Sequence, residues 1–355
     1  MQLDLTASSV DLTRAICDIP SVSGSETALA DAIEESVSPL EHLEVIRHGN
    51  TIVARTNLGR AQRVAIAGHI DTVPINDNVP TRFIDVDGEP NLWGRGTVDM
   101  KAGVAIQLKL AAELIDPAID ITWMWYDNEE VAASLNGLKL LADEHPELFA
   151  ADFAILGEPS NGEVEGGCNG TIRALVRTYG VRAHSARAWV GENAIHAAAP
   201  VLARLSEYRA KEVAVEGLVY RESLSAVRID GGVAGNVIPD LCEIEVNYRF
   251  APSKSAADAE AHLRKVFEGF ELEITDFAEG ARPGLDAPMT QQFVSAVGAQ
   301  PRPKYGWTDV ARFSALGIPA VNYGPGDPLL AHHDEERVPL DQIDAVEQGL
   351  RAWLT

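Results

Sequence analysis

Short apolar runs alternate with amphipathic segments along the first 160 residues of the chain. The runs Val64–Ala67, Ile121–Tyr126 and Phe153–Leu156 are bounded by polar residues or glycine, a pattern typical of strands buried on both faces. Between the first two runs, Lys101–Leu114 is rich in Ala and Leu and has the length of a helix. A long polar loop is expected after Asp71. Strands that alternate with helices predict an α/β fold with a mixed, largely parallel sheet flanked by helices.

The pattern changes near residue 171, where alternating strands and long helices replace the buried runs. The order is strand, helix, strand, strand, helix, strand, which is typical of a ferredoxin-like α+β domain. We therefore predict that residues 172–286 form a domain inserted into an α/β domain made of residues 1–171 and 287–355. The inserted elements are expected at Thr171–Val181, Asn193–Tyr208, Leu224–Asp230, Cys242–Phe250, Ala256–Glu268 and Glu271–Thr275.

The charge balance argues against several classes of partner. The 355 residues include 29 Lys and Arg against 53 Asp and Glu, so the formal net charge is −24. Such acidity disfavours nucleic acid and anionic lipid, which are bound through Lys and Arg. The three cysteines, Cys17, Cys168 and Cys242, are too scattered for a disulfide framework or a thiolate zinc site. The N-terminus lacks a signal-peptide pattern and no apolar run approaches about 18 residues, so we expect a cytoplasmic protein without a membrane partner.

Acidic residues and histidines follow the predicted buried strands. His69 and Asp71 lie on one side of the first strand's end because side chains alternate along a strand. Glu129, Glu130 and Glu158 follow the next two strands, and ligands bind where parallel strands end. Together with Asp99 and His332, these groups offer imidazole and carboxylate ligands without thiolates, which suits zinc, manganese or cobalt. They fit two metals about 3.5–4 Å apart with one bridging carboxylate, and one glutamate of the adjacent pair could act as the general base.

These groups lie in five motifs that occur in a familiar order. The motifs are His69-Ile-Asp71, Gly94-Arg-Gly96 with Asp99-Met-Lys-Ala-Gly103, Asn128-Glu-Glu130, Gly157-Glu-Pro-Ser160 and Ala331-His-His-Asp-Glu-Glu336. The chain thereby resembles the co-catalytic zinc family of aminoacylases, carboxypeptidases, acetylornithine deacetylases and succinyl-diaminopimelate desuccinylases. The resemblance covers nearly the whole chain and implies a zinc exopeptidase-like fold with an inserted lid and dimerisation domain.

The resemblance also implies a role for each of these residues. His69 and Glu158 would hold one metal, Glu130 and His332 the other, and Asp99 would bridge them. The implied ions are two divalent cations, with Zn²⁺ favoured and Co²⁺ or Mn²⁺ as alternatives. Asp71 would support His69, and Glu129 would be the general base. The Asp99-Met100 peptide is expected to be cis. His332 is preferred to His333 because it has the family's spacing to Glu336.

In the inserted domain, the segment Gly180–Ser185 resembles a lid strand from which a histidine, here His184, reaches the partner subunit's active site and stabilises the oxyanion. Asn236 and Arg249 match substrate-contacting lid motifs, and Thr308 and Arg312 match a loop near the substrate. Other interpretations remain open: His184 could be a strand-end histidine, and Arg249 or Arg312 could be solvated. A homodimer through the inserted domain is implied.

Three segments are Tyr126-Asp-Asn-Glu-Glu-Val131, the turn Gly167-Cys-Asn-Gly-Thr171 and Ala331-His332. Through them the chain most resembles the succinyl-diaminopimelate desuccinylases of actinobacterial type. The implied reaction is hydrolysis of N-succinyl-LL-2,6-diaminopimelate to succinate and LL-2,6-diaminopimelate, a step in lysine and cell-wall synthesis. Alternatives within the family are deacylation of N-acetylornithine or another N-acyl amino acid, and dipeptide cleavage. An alternative of another class is a catalytically silent binding protein. A dinucleotide-binding protein is disfavoured because no Gly-x-Gly-x-x-Gly follows the first strands.

Overall fold

The computed structural model describes residues 2–355 and consists of two compact units. The first unit comprises the residues up to Gly166 together with Pro283–Arg302 and Arg312–Thr355. The second comprises Gly167–Arg282 and Pro303–Ala311. Both units are therefore discontinuous in the chain, and each has its own hydrophobic core.

The compact units divide the chain differently from the sequence-based expectation. Residues 167–171 and 303–311 were expected in the α/β domain and group with the second unit, and residues 283–286 were expected in the inserted domain and group with the first. The segment 303–311 makes hydrogen bonds within the second unit. The Asn169 amide donates to the Lys304 carbonyl at 3.2 Å, and the Trp307 indole N–H donates to the Glu279 carbonyl at 3.0 Å. These hydrogen bonds attach the segment to the start and the end of the inserted chain.

The structure contains strands and helices throughout both units. The strands are β1 (Glu44–His48), β2 (Thr51–Arg55), β3 (Arg63–His69), β4 (Arg82–Val86), β5 (Glu89–Trp93), β6 (Asp120–Tyr126), β7 (Phe153–Leu156), β8 (Glu165–Gly166), β9 (Gly170–Tyr179), β10 (Ala183–His184), β11 (Glu212–Val215), β12 (Leu218–Arg221), β13 (Ser223–Gly231), β14 (Val237–Ile238), β15 (Leu241–Phe250), β16 (Glu271–Ala278), β17 (Arg302–Pro303), β18 (Ala320–Asn322) and β19 (Arg337–Pro339). The helices are α1 (Ser9–Cys17), α2 (Thr27–Val37), α3 (Lys101–Glu113), α4 (Gly137–Glu144), α5 (Ala194–Ala197), α6 (Ala199–Glu207), α7 (Ala256–Val266), α8 (Pro288–Val297), α9 (Val310–Ala315) and α10 (Leu340–Leu354).

The first unit is built on an eight-stranded sheet with the order β1-β2-β6-β3-β7-β18-β8-β17. Its centre, β6-β3-β7-β18, is parallel, whereas β1, β2 and β8 pair antiparallel with their neighbours. Every residue of β6 and β7 is buried, which explains their continuous apolar sequences. Helices α1, α3, α8 and α10 pack around one core with this sheet. The prediction of a largely parallel α/β sheet is confirmed.

The second unit contains a four-stranded antiparallel sheet with the order β13-β15-β9-β16. Helices α5 and α6 follow β9, and α7 lies between β15 and β16 in the chain. Apolar residues from β9, β15, α6 and α7 form its core, including Val176, Val201, Val246 and Leu263. This element order and strand order are those of a ferredoxin-like domain, as predicted.

Three local predictions differ from the structure. The polar segment after Asp71 contains the hairpin β4–β5, which joins β19 in a three-stranded antiparallel sheet. The helix expected over Asn193–Tyr208 is two helices separated at Ala198. Pro200 lies in the first turn of the second helix, and the helix is interrupted there because proline lacks the N–H that would continue it. The hairpin β11–β12 was not expected. Within the described part of the chain, no helix has the length and apolarity needed to cross a membrane.

Candidate metal centre

The parallel strands β3, β6 and β7 bring the predicted metal ligands to one edge of the sheet. His69 is the last residue of β3 and pairs with Tyr126, the last residue of β6. Ala67 of β3 pairs with Leu156, the last residue of β7. Because all three strands run in the same direction, the residues that follow them, including Glu130 and Glu158, converge on His69.

Asp99 lies between two histidines. Its Oδ1 is 3.0 Å from Nε2 of His69, and its Oδ2 is 3.3 Å from Nε2 of His332. Glu130 Oε1 is 2.8 Å from the same His332 nitrogen, and Glu158 Oε1 is 4.0 Å from the His69 nitrogen. Each histidine therefore faces one terminal carboxylate and one oxygen of a shared carboxylate, which is the donor arrangement of a two-metal site.

Asp71 is completely buried and holds several groups at this edge of the sheet in place. One of its oxygens lies 3.4 Å from Nδ1 of His69, and the Asp71 carbonyl lies 3.1 Å from the same nitrogen. Its carboxylate also accepts the backbone N–H groups of Glu129 at 3.0 Å and Glu130 at 3.1 Å, and the Ser23 hydroxyl at 2.7 Å. Asp71 thus orients the His69 ring so that Nε2 faces Asp99, and it fixes the backbone of both glutamates.

A second buried carboxylate, Glu336, positions Asp99. Its Oε1 accepts the backbone N–H groups of Val98 at 2.9 Å and Asp99 at 3.1 Å, while its Oε2 accepts from Arg95 Nη1 at 2.9 Å. The Asp99-Met100 peptide bond is cis, as expected. Sequence reasoning used Glu336 only as a spacing marker and did not find this role or that of Ser23. The spacing between His332 and Glu336 was the available signal.

A close approach of α3 to the end of β7 also depends on one glycine. A Cβ atom at Gly103 would lie 2.3 Å from the Gly157 carbonyl oxygen, a separation that side chains do not tolerate. Asp99 precedes α3 and Glu158 follows Gly157, so the missing side chain at residue 103 lets these two carboxylates occupy one site.

The electrostatics of the cluster favour added positive charge. Hydrogen bonds with Asp99 and Glu130 raise the pKa of His332 to about 10. Burial alone would lower the pKa of His69, but Asp71 and Asp99 raise it well above its usual value. Burial opposes ionisation of Asp99, yet the two histidines hold its pKa far below the usual range. The carboxylates thus stabilise positive charge in the cluster, and a divalent cation would supply that charge. Imidazoles and carboxylates are suitable ligands for such an ion. The residues therefore fit the implied metals.

The neighbouring histidine is used differently. Nδ1 of His333 accepts the Glu335 backbone N–H at 3.2 Å, whereas His332, at a φ of 64°, directs its ring toward Glu130 and Asp99. Only the first of the two adjacent histidines joins the carboxylate cluster.

The second unit holds most of the predicted substrate residues. Strand β10 pairs with β14, and the Ser185 N–H donates to the Asn236 carbonyl at 2.9 Å, so His184 and Asn236 are neighbours. Nδ1 of His184 accepts the Ala186 N–H at 3.0 Å, which leaves Nε2 as the protonated nitrogen of the neutral ring. Thr308 is buried, and its carbonyl lies 3.7 Å from the Cys168 sulfur.

Arg249 and the other arginines of the second unit have different surroundings. Burial lowers the pKa of Arg249, as does the nearby charge of Arg173, and its Nε donates to Asn247 at 3.0 Å. Arg177 instead pairs with three glutamates on the sheet surface, and Arg182 pairs with Asp240. Arg312 belongs to the first unit, on α9.

Comparison with known proteins assigns the class. The model of peptidase family M20/M25/M40 matches residues 65–355, so the chain belongs to this family and is a hydrolase of it. More particularly, it is 47% identical over 364 residues to the succinyl-diaminopimelate desuccinylase of Corynebacterium glutamicum, covering 99% of this chain and 98% of that protein. It is 51% identical over 355 residues, 99% of both chains, to a Mycobacterium tuberculosis H37Rv protein provisionally named succinyl-diaminopimelate desuccinylase DapE. The family resemblance is confirmed.

Solved structures share the fold. A tripeptidase from Staphylococcus aureus aligns with a TM-score of 0.78 at 20% identity, covering 100% of this chain and 98% of that one. A Bacillus subtilis protein, described as a dinuclear metal binding peptidase from the M20 family, aligns with a TM-score of 0.68 at 17% identity, covering 97% and 96%. At these identities the likeness concerns the fold, and it confirms the predicted fold class.

Proposed function

We propose that this protein hydrolyses N-succinyl-LL-2,6-diaminopimelate to succinate and LL-2,6-diaminopimelate. The observation that carries the proposal is the placement of Asp99 between His69 and His332, with Glu130 and Glu158 beside them. The substrate is suggested by the desuccinylase relatives, which are similar over nearly the whole chain.

The proposed centre holds two divalent cations, with Zn²⁺ favoured by the imidazole and carboxylate donors. His69 and Glu158 would hold one, Glu130 and His332 the other, and Asp99 would bridge them. When bound, the ions would polarise the amide carbonyl and lower the pKa of a water molecule toward about 7.

Glu129 is the proposed general base. It takes a proton from the attacking water and passes it to the leaving amine, a task for which a carboxylate beside the reacting water is suited. Support comes from its backbone: the Asp71 carboxylate holds the amides of residues 129 and 130 together. Glu129 is thereby kept next to a proposed metal ligand, as a proton carrier at this centre must be.

Five further residues are proposed to contact the substrate. We assign the oxyanion contact to His184, whose Nε2 carries the donor proton. Asn236, Thr308 and Arg312 are assigned to hydrogen bonds with substrate. Arg249 is assigned to a substrate carboxylate because a half-buried guanidinium is stabilised by bidentate pairing with an anion.

The proposed organisation follows from these roles. Residues 1–171 and 287–355 would form the catalytic domain, and residues 172–286 the lid and dimerisation domain. Strand β13 is an edge of its sheet and carries the half-exposed Ile229, while Ile195 and Leu202 on the neighbouring helices are 42% and 41% exposed. This apolar edge suits a second copy of the chain. Three free, buried cysteines are consistent with action in the cytoplasm.

The test compares wild type with Glu129→Gln on a panel of N-succinyl-diaminopimelate, N-acetylornithine, another N-acyl amino acid and a dipeptide. The wild type should have its highest kcat/KM on the succinyl substrate. Glu129→Gln should keep its metal content and lose about 10²–10⁴-fold in kcat, because the proton carrier is removed. The charge-matched control Glu89→Gln, at the exposed start of β5, should retain activity. A higher kcat/KM on another substrate would reassign the specificity, and wild-type turnover by Glu129→Gln would overturn the base assignment.

A further inference from the structure

A second cluster of histidines and carboxylates lies on the first unit, at the outer end of its sheet. His48 ends β1, Glu144 ends α4, and His145 follows directly. Nε2 of His48 is 2.9 Å from Oε2 of Glu144, and the two histidine rings are 5.7 Å apart between centroids. One candidate ligand atom from each of the three residues lies within 4.8 Å of the others. The cluster shares no residue with the strand-end centre, which is formed by His69, Asp99, Glu130, Glu158 and His332.

The fold holds the elements that carry this cluster in place. Thr51, which pairs with His48 across the β1–β2 hairpin, donates its hydroxyl to Asp127 Oδ1 at 2.9 Å. The Asp127 carbonyl accepts the backbone N–H of Gly137, the first residue of α4, at 2.8 Å. Leu138 and Leu141 bury the inner face of α4 completely. These hydrogen bonds anchor α4 to the β1–β2 hairpin. The last residues of α4 therefore lie beside His48 without needing a metal ion to hold them there.

The donors have the chemistry of a transition-metal site. Two imidazoles and a carboxylate are the ligands of many three-residue zinc sites, whose remaining position is taken by water. Nδ1 of His145 lies 3.2 Å from the Glu147 carboxylate, and such a contact fixes a histidine so that its Nε2 can bind a metal. Zinc ligands at about 2.0–2.2 Å stand roughly 3.4 Å apart in a tetrahedron, so small side-chain rotations suffice.

The pairing in this cluster matches that in the strand-end centre. There, histidine nitrogens lie 3.0 Å and 2.8 Å from the carboxylate oxygens of Asp99 and Glu130. At the second cluster the corresponding distance from His48 to Glu144 is 2.9 Å. The His48 side chain is 25% exposed, so an ion can reach it from solvent.

We propose that His48, Glu144 and His145 form an additional binding site for a transition-metal ion of the Zn²⁺ class, oriented by Glu147. The ion would join the end of α4 to the β1–β2 hairpin. Since α4 follows the loop that carries Glu129 and Glu130, the site would act structurally, by fixing the far end of the helix after that loop.

The experiment measures bound zinc in the full-length protein. Chelator-treated wild type, His48→Ala/His145→Ala and the control His196→Ala are dialysed against Zn²⁺, and the metal is counted per chain. His196 is exposed on α5 of the second unit. This control therefore shows whether the loss of any exposed histidine lowers the zinc content. The double variant should bind one Zn²⁺ fewer than wild type, and the control should match wild type. Equal zinc content in wild type and double variant would overturn the proposal.

A second readout separates this site from the strand-end centre. Glu144→Gln keeps the size of the side chain and removes the anionic ligand, so it should weaken the additional zinc at least tenfold in a calorimetric titration. Hydrolytic activity should stay at the wild-type value in all of these variants. A Glu144→Gln titration identical to that of wild type would also overturn the proposal, whatever the substrate of the enzyme proves to be.

Discussion

At the scale of single residues, Asp71 couples the proposed ligands to the proposed base. It contacts His69 Nδ1 and accepts the amides of Glu129 and Glu130. Burial opposes its ionisation, but the His69 contact and the Glu129 amide hold its pKa below the usual value. An ionised, fully buried carboxylate with these partners fixes both the ring and the turn.

Replacing Asp71 with Asn should therefore weaken metal binding at the centre while leaving a side chain of nearly the same size in the buried site. An amide can accept one backbone N–H but brings no charge, so metal affinity should fall about 10–100-fold, with a parallel loss of kcat. Affinity is measured by competition with a chelator. Asp87→Asn, at an exposed turn with a φ of 55°, is the control and should bind metal as wild type does. Unchanged affinity in Asp71→Asn would refute the supporting role.

At the scale of elements, the sequence was most informative where burial is complete. The strand predicted at Phe153–Leu156 has those bounds in the structure, and Ile121–Tyr126 lacks only Asp120. The β4–β5 hairpin was missed because its exposed residues, such as Phe83, give no apolar run. The roles of Ser23 and Glu336 depend on loops distant in sequence, so spacing alone could not supply their hydrogen bonds.

The contact between α3 and β7 gives a prediction at this scale. In Gly103→Ala the added methyl would meet the Gly157 carbonyl and move Asp99 away from Glu158. Overpacking of this kind costs about 1–3 kcal/mol, measured by denaturant unfolding, and metal affinity should fall as well. Gly235→Ala, where a Cβ would meet no atom within 4 Å, should be neutral in both measurements. Wild-type stability and affinity in Gly103→Ala would contradict the proposed close approach.

At the scale of the whole molecule, the acidic surface and the apolar edge of the second unit set the expected assembly. A net charge of −24 keeps copies of the chain apart except where an apolar surface compensates. The edge at β13, with Ile229, Ile195 and Leu202, is such a surface. We expect a two-fold dimer there.

Ile229→Asp should convert the dimer to a monomer, because an unpaired charge would be buried at the interface. Sedimentation measures the oligomeric state. Ile115→Asp, which places the same charge on an exposed residue of the first unit, should remain dimeric. If His184 acts in the partner subunit, the monomer should lose most of its activity. A fully active monomeric variant would contradict that role, and a monomeric wild type would contradict the dimer itself.

The cluster around Asp99 is proposed to be a two-metal hydrolytic centre. Its most direct test is the hydrolysis of N-succinyl-LL-2,6-diaminopimelate by chelator-treated protein as Zn²⁺ is added back. We expect negligible turnover without metal, and a rate that rises over the first two equivalents of Zn²⁺ per chain and then stays constant. Full turnover by the metal-free protein would contradict it.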